Sequence, residues 1–131
     1  MQFSKVIGQE EAKQRLRQLY DEHRIPHALM FTGPEGSGKM ALALAFASFL
    51  LGERWDGMSV LENKAAIANA EAMLSNWQHP DLHFSYPVIK PKGAGSDRKI
   101  TSEDFATEWR QLLGNGPYFN MEQWMSLMNA E

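Results

Sequence analysis

The chain has 131 residues, a formal net charge of −3 and 44% apolar residues, so we expect one modest folded domain or part of a larger one. It has no cysteine, which excludes disulfide bonds and thiolate metal sites, and its net charge argues weakly against broad, nonspecific nucleic-acid binding. The N-terminal residues lack the apolar core of a signal peptide, and the longest apolar run, Met40–Leu51, is too short to span a membrane, so a cytoplasmic location is expected.

The first predicted element is an amphipathic helix that begins at Gln9 and ends near His23. Its apolar positions recur at helical spacing, and charged residues cover the other side. These apolar positions are Ala12, Leu16, Leu19 and Tyr20. Pro26 ends the segment. The next run, Ala28–Thr32, is short and almost wholly apolar, which is typical of a strand buried on both faces of a parallel sheet.

A glycine-rich loop follows this predicted strand and fits the pattern G-x-x-x-x-G-K-[ST] at every fixed position but the last. Its residues are Gly33, Pro34, Glu35, Gly36, Ser37, Gly38, Lys39 and Met40. Glycines let successive backbone N–H groups turn inward around phosphate oxygens, and the lysine brings a positive charge to the terminal phosphates. The last position normally carries a hydroxyl that binds Mg²⁺, and a thioether is a poor ligand for that cation. The loop is therefore predicted to hold a phosphate and to be poorly equipped to catalyse its transfer.

A helix from Gly38 to Leu51, with Gly52 as its C-terminal cap, is predicted after the loop. Strand, loop and helix then occur in the order that a phosphate-binding loop requires. The alternatives are an ordinary glycine-rich turn, which this agreement disfavours, and an inherited loop that stays empty.

The region Glu53–Gln78 is interpreted as a helical connection, because Glu62–Trp77 contains good helix formers and neither glycine nor proline. His79-Pro-Asp81 interrupts it, and Leu82–Tyr86 is a second candidate strand.

Two capping patterns predict the last two helices. Thr101 with Asp104 precedes a helix that ends at Leu113, and Asn120 with Gln123 precedes another. The apolar residues of the final helix share one face that is expected to pack. They are Met121, Trp124, Met125 and Met128.

Four short segments resemble, in order, the start of bacterial clamp-loader subunits, the AAA+ gamma/tau and delta-prime proteins of DNA polymerase III. They are Val6-Ile-Gly-Gln9, Arg24-Ile-Pro-His-Ala28, Phe31–Lys39 and His79-Pro-Asp81. The resemblance implies an α/β fold, namely a P-loop NTPase (AAA+) three-layer domain. It also implies that Val6 and Ile7 lie near an adenine and that Gly33–Met40 surrounds the phosphates of ATP or ADP.

Within this family the strand order 5-1-4-3-2 implies that the two predicted strands are strands 1 and 2, which are not neighbours. Residues 1–131 are therefore expected to be an incomplete N-terminal part of the domain, truncated before the Walker B strand. Sensor 1 and the arginine finger would also lie beyond Glu131. Because open sheet edges invite pairing, the isolated piece is predicted to self-associate.

Two departures from the family pattern favour delta-prime over gamma/tau. Met40 replaces the hydroxyl residue, and residues 53–78 lack the four-cysteine zinc module that many members carry there. The resemblance then implies weak or absent Mg²⁺, no zinc, no other metal site and no catalytic residue in this chain. The implied function is to load the sliding clamp onto primer-template DNA with other clamp-loader subunits, without ATP hydrolysis by this chain. The alternatives are a gamma/tau-like ATPase subunit or another P-loop NTPase, such as a small kinase or a regulatory AAA+ protein.

Overall fold

The computed structural model describes residues 2–52, 60–90, 93, 95 and 97–129. Its helices are α1 (Glu10–Asp21), α2 (Lys39–Gly52), α3 (Val60–Ser75), α4 (Ala106–Gly114) and α5 (Met121–Asn129), with 3-10 turns at Phe3–Lys5 and Ser102–Phe105. Every helix predicted from the sequence is confirmed, with small differences at the ends. The predicted connection over 53–78 contains α3, and its first part, 53–59, lies outside the described residues.

Helix α2 is apolar on all sides and lies between two hydrophobic clusters. Ala41, Leu42, Ala45 and Phe46 belong to the first cluster, and Leu44 belongs to the second. A helix without a polar face has to be covered all round, which is why it occupies the centre of the described structure. Even so, none of the helices in the described part of the chain, α2 included, has the length and apolarity needed to cross a membrane.

The first cluster holds the N-terminal residues against the beginning of α2. Phe3, Val6 and Leu16 are buried against that helix, and the Phe3 ring lies 6.5 Å from the ring of Phe46 and 5.4 Å from that of Phe49. Burying one such side chain contributes about 1.5–3 kcal/mol. The segment that precedes α1 is therefore fixed beside the glycine-rich loop by packing.

The second cluster is aromatic and joins the C-terminal half of the chain to α2. Trp109 of α4 stacks on Tyr86 with ring centroids 4.3 Å apart and meets Trp124 of α5 edge-on at 5.2 Å. The Trp124 indole N–H donates a hydrogen bond to the backbone oxygen of Pro87, 2.8 Å away. The predicted packing of the final helix is thus confirmed for Trp124, Met128 and the partly buried Met125, whereas Met121 is exposed.

Both predicted capping patterns are present. The Asn120 side chain accepts a hydrogen bond from the backbone N–H of Gln123 at 2.8 Å, and the Gln123 side chain accepts one from the backbone N–H of Asn120 at 2.9 Å. The backbone N–H of Thr101 donates to the Asp104 carboxylate at 2.9 Å. These local bonds satisfy N–H groups that have no partner inside a helix, so they set where each helical segment begins.

Both strand predictions are wrong, because neither Ala28–Thr32 nor Leu82–Tyr86 forms a strand. The described residues contain helices, turns and irregular segments but no β-ladder, so the sheet of the expected α/β fold is absent from them. A strand needs a neighbouring strand to bond its backbone groups. Residues 28–30 are instead irregular and exposed, with Met30 87% exposed.

Candidate functional site

The glycine-rich loop leads into the N-terminus of α2 and turns where its glycines allow it. Gly36 and Gly38 have φ angles of +78° and +85°, in the left-handed region that side-chain-bearing residues rarely adopt. The backbone N–H of Ser37 donates to the oxygen of Pro34 at 3.2 Å and closes a turn between them. The loop therefore has the tight, glycine-dependent bend that was predicted at this position.

Gly33, at the start of the loop, lies close to the side chain of Ser37. A Cβ atom at this position would lie 2.8 Å from the Ser37 hydroxyl oxygen, so the hydroxyl would have to rotate away to make room. The first and fifth residues of the loop therefore approach each other closely.

Lys39 is the first residue of α2, and its side chain folds back over the loop. Its ammonium group donates a hydrogen bond to the backbone oxygen of Pro34 at 3.1 Å. An ammonium carries three donors, so this bond leaves capacity for an anion. A positive charge here also adds to the partial positive charge of the helix N-terminus, which favours phosphate binding.

Met40 occupies the position where the phosphate-loop pattern has a hydroxyl, and it is 37% exposed beside the loop. Its sulfur is poorly matched to Mg²⁺, which takes oxygen ligands. Across the part of the chain that the structure describes, no group of three or more histidine, aspartate or glutamate side chains is placed to hold a metal ion. The loop therefore lacks the oxygen ligand that the pattern supplies at this position, and weak or absent Mg²⁺ binding stays a prediction.

The Val6–Ile7 segment lies beside the loop, but its two side chains have different surroundings. Val6 is 3% exposed within the first cluster, whereas Ile7 is 78% exposed. The buried ammonium of Lys13 donates to the Val6 backbone oxygen at 2.7 Å and to the Glu10 carboxylate at 2.9 Å. The structure thus holds the segment next to the loop, and its contact with an adenine stays a prediction.

Two further side chains tie this segment to the loop. The Gln9 amide donates to the Ser37 backbone oxygen at 2.9 Å. The Tyr118 hydroxyl accepts a hydrogen bond from the Ile7 backbone N–H at 2.8 Å, and its ring lies beside Gly38. The predicted site residues, Val6, Ile7 and Gly33–Met40, are therefore brought together.

Sequence reasoning assigned no role to Lys13 or Tyr118. In the sequence, Lys13 follows apolar Ala12 in an amphipathic helix. That position is only a weak indication that the amine of Lys13 is buried. Tyr118 is 111 residues from its partner Ile7, so no local pattern could have connected them.

A cavity of about 710 Å³ opens between the loop and the aromatic cluster. Glu35, Gly36, Lys39 and Met40 line one side. Tyr86, Trp109, Tyr118 and Trp124 are among the residues on the other. The combination of apolar walls with a few polar groups is typical of small-molecule sites.

Known proteins resemble part of this chain. The Replication factor C small subunit of Archaeoglobus fulgidus is 49% identical over 53 residues, which cover 40% of this chain and 16% of that protein. The corresponding protein of Methanothermobacter thermautotrophicus is 48% identical over 50 residues, 38% of this chain and 15% of that protein. The matches therefore span only a small part of these relatives. No solved structure matches the chain.

A family model described as DNA polymerase III, delta subunit matches residues 8–131, which is nearly the whole chain. At the level of the family, this match and these relatives agree with the resemblance that the four short sequence segments indicated. The chain belongs to this clamp-loader AAA+ family, for which a P-loop NTPase fold is implied.

Proposed function

We propose that the chain is part of a delta-prime-like clamp-loader subunit that helps to load a sliding clamp onto primer-template DNA. In this proposal it binds ATP or ADP and does not hydrolyse it. The observation that carries the proposal is the folded glycine loop. Lys39 folds back over this loop, and Met40 stands at the position where the pattern has a hydroxyl. Family membership supports the clamp-loading role.

Nucleotide binding without hydrolysis follows from the chemistry of the loop. Backbone N–H groups and Lys39 attract an anion, and the Val6–Ile7 segment, held beside the loop by Gln9 and Tyr118, is the proposed place for the rest of a nucleotide. Hydrolysis depends on a metal ion that bridges the phosphates. Since Met40 supplies no oxygen ligand, we assign no catalytic residue to this chain, and we propose neither bound Mg²⁺ nor zinc.

The proposed partners are other clamp-loader subunits, the sliding clamp and, through the assembly, DNA. We place the assembly in the cytoplasm. The matched segment spans only 15–16% of the length of these relatives, so the activity and the partners of a whole clamp-loader subunit are proposals for this chain. The family match does not distinguish a delta-prime-like role from a gamma/tau-like role. The tests below therefore include a gamma/tau-like role as the alternative outcome.

Isothermal titration with ADP, in buffer with EDTA and in buffer with Mg²⁺, tests the nucleotide proposal. We expect measurable binding that changes little with Mg²⁺ and is lost in Lys39→Ala. Lys5→Ala is the matched control, because Lys5 is an exposed lysine outside the loop and should leave binding intact. Lack of binding by the unaltered chain would contradict nucleotide binding, and Mg²⁺-dependent ATP turnover by it would favour the gamma/tau-like role.

Co-purification with the remaining clamp-loader subunits of the same organism tests the assembly role. We expect the subunit that contains this chain to join the complex and the complex to load the clamp. A complex that forms and loads the clamp equally well without this subunit would overturn the assignment.

A further inference from the structure

Tyr118 joins two parts of the site that are far apart in sequence. Its hydroxyl oxygen lies 2.8 Å from the backbone nitrogen of Ile7 and accepts that N–H. On the other side, a Cβ atom on Gly38 would lie 3.4 Å from the Tyr118 ring and 3.8 Å from its hydroxyl oxygen. The phenol thus fills the space between the Val6–Ile7 segment and the glycine loop.

We propose that Tyr118 is an internal competitor that closes this site until a nucleotide displaces it. The inference rests on the proposed function, since it assumes a ligand that extends from the loop to Ile7. Such a ligand needs the space now filled by the Tyr118 ring. Any ligand atom that accepts the Ile7 N–H also has to replace the Tyr118 hydroxyl, because one N–H makes one good hydrogen bond.

The surroundings of Tyr118 allow its side chain to swing out while the backbone stays in place. The side chain is 43% exposed, so it has solvent to move into. Its neighbour Phe119 is held against Trp109, with ring centroids 5.6 Å apart. The segment is also fixed at its ends, because Gly116 donates to the backbone oxygen of Leu113 and Asn120 caps α5. Rotation of one side chain is therefore the least costly way to open the site.

The competition is expected to be modest in size. A hydrogen bond of this kind has a small net value in water, so removing the hydroxyl should strengthen nucleotide binding by about two- to tenfold. Removing the ring as well frees the space beside Gly38, so Tyr118→Ala should bind at least as tightly as Tyr118→Phe. A ligand that fills only the loop does not need the Ile7 N–H and should be insensitive to the hydroxyl.

The test compares ADP with inorganic pyrophosphate, which reaches only the loop, by titration calorimetry. We expect Tyr118→Phe to bind ADP about two- to tenfold more tightly than the unaltered chain and to bind pyrophosphate equally well. Tyr20→Phe is the matched control, because it removes a hydroxyl from a ring that packs on Phe49 instead, and it should change neither affinity. Circular dichroism checks that each variant is folded.

The outcomes separate this inference from the proposed function. Unchanged or weaker ADP binding by both Tyr118 variants would overturn the competitor role while leaving nucleotide binding intact. Binding of ADP by Tyr118→Ala alone would support both proposals. Failure of every variant to bind ADP would overturn both of them.

Discussion

The side-chain amide of Gln9 donates a hydrogen bond to the backbone oxygen of Ser37, across 28 residues of sequence. Gln9 immediately precedes α1 and has a φ angle of +60°, and Ser37 belongs to the glycine loop. The bond therefore connects the beginning of the first helix with the loop that precedes α2. It holds the proposed nucleotide site in one shape by a contact that needs the full length of a glutamine side chain.

Shortening this side chain should weaken nucleotide binding. Gln9→Asn keeps a residue that tolerates the left-handed backbone but removes the reach to Ser37. We expect ADP affinity to fall by about two- to tenfold, the usual effect of losing one hydrogen bond. The matched control is Gln14→Asn, which changes an exposed glutamine within α1. Equal ADP affinities of Gln9→Asn and the unaltered chain, measured by calorimetry, would show that the bond does not shape the site.

A hydroxyl at position 40 should create a response to magnesium. In Met40→Thr we expect Mg²⁺ to strengthen ATP binding severalfold relative to EDTA, because an oxygen ligand replaces the thioether. Met40→Val is the control, because it has nearly the shape of the threonine variant without its oxygen. The measurement is ATP affinity by calorimetry in both buffers. The metal argument fails if the valine and threonine variants respond to Mg²⁺ alike.

Trp124 should be one of the side chains on which the second cluster most depends. It is the largest fully buried side chain of the described residues, and its indole N–H pairs with Pro87. We expect Trp124→Ala to lower the free energy of unfolding by about 3–5 kcal/mol in urea titrations. Trp124→Phe retains a ring but leaves the Pro87 oxygen unpaired, and it should cost about 1–3 kcal/mol.

Exposed Met121 in the same helix provides the control for this pair, and Met121→Ala should change the unfolding free energy by less than about 0.5 kcal/mol. Similar losses for Met121→Ala and Trp124→Ala would mean that the aromatic cluster is not the stabilising core of this half.

Asp104 should make stability depend on acid pH. The Thr101 backbone N–H, with a further contribution from Arg98, lowers the pKa of this carboxyl below 3.8. Since the folded state favours the ionised form, its stabilising contribution is present above pH 3.8 and is lost as the pH falls through the lower, folded-state pKa. We expect Asp104→Asn to be less stable than the unaltered chain at pH 7 and to lose less stability on acidification.

Urea midpoints at neutral and acid pH provide the measurement for Asp104. Asp81→Asn, which changes another exposed carboxylate, should retain the acid sensitivity of the unaltered chain. An undiminished acid response in Asp104→Asn would rule out the contribution assigned to this carboxyl.

The exposed segment at residues 28–30 should promote self-association. Leu29 is partly exposed, Met30 is almost fully exposed, and the described backbone there has no ladder partner. Such segments tend to pair with other chains, and a lysine discourages this. We expect light scattering after size exclusion to show association that Met30→Lys reduces and that Met121→Lys leaves unchanged. A monomer at high concentration would contradict the prediction.

Helix positions, caps and the glycine loop could be predicted from sequence because their causes are local. The reciprocal bonds of Asn120 and Gln123 span three residues, and the loop bends where its own glycines permit positive φ angles. The apolar composition of α2 likewise indicates a helix that has to be covered on every side. These features depend on neighbours along the chain, so a single sequence contains the information that determines them.

Only the tertiary structure decided which distant groups meet. Ala28–Thr32 has the composition of a buried strand, yet it forms none here, because a strand depends on bonds to a neighbouring strand. The contact of Tyr118 with Ile7 and the buried Lys13 bond to Val6 depend on packing around α2. Local chemistry acts over a few residues, whereas these contacts exist only after the whole chain has brought their partners together.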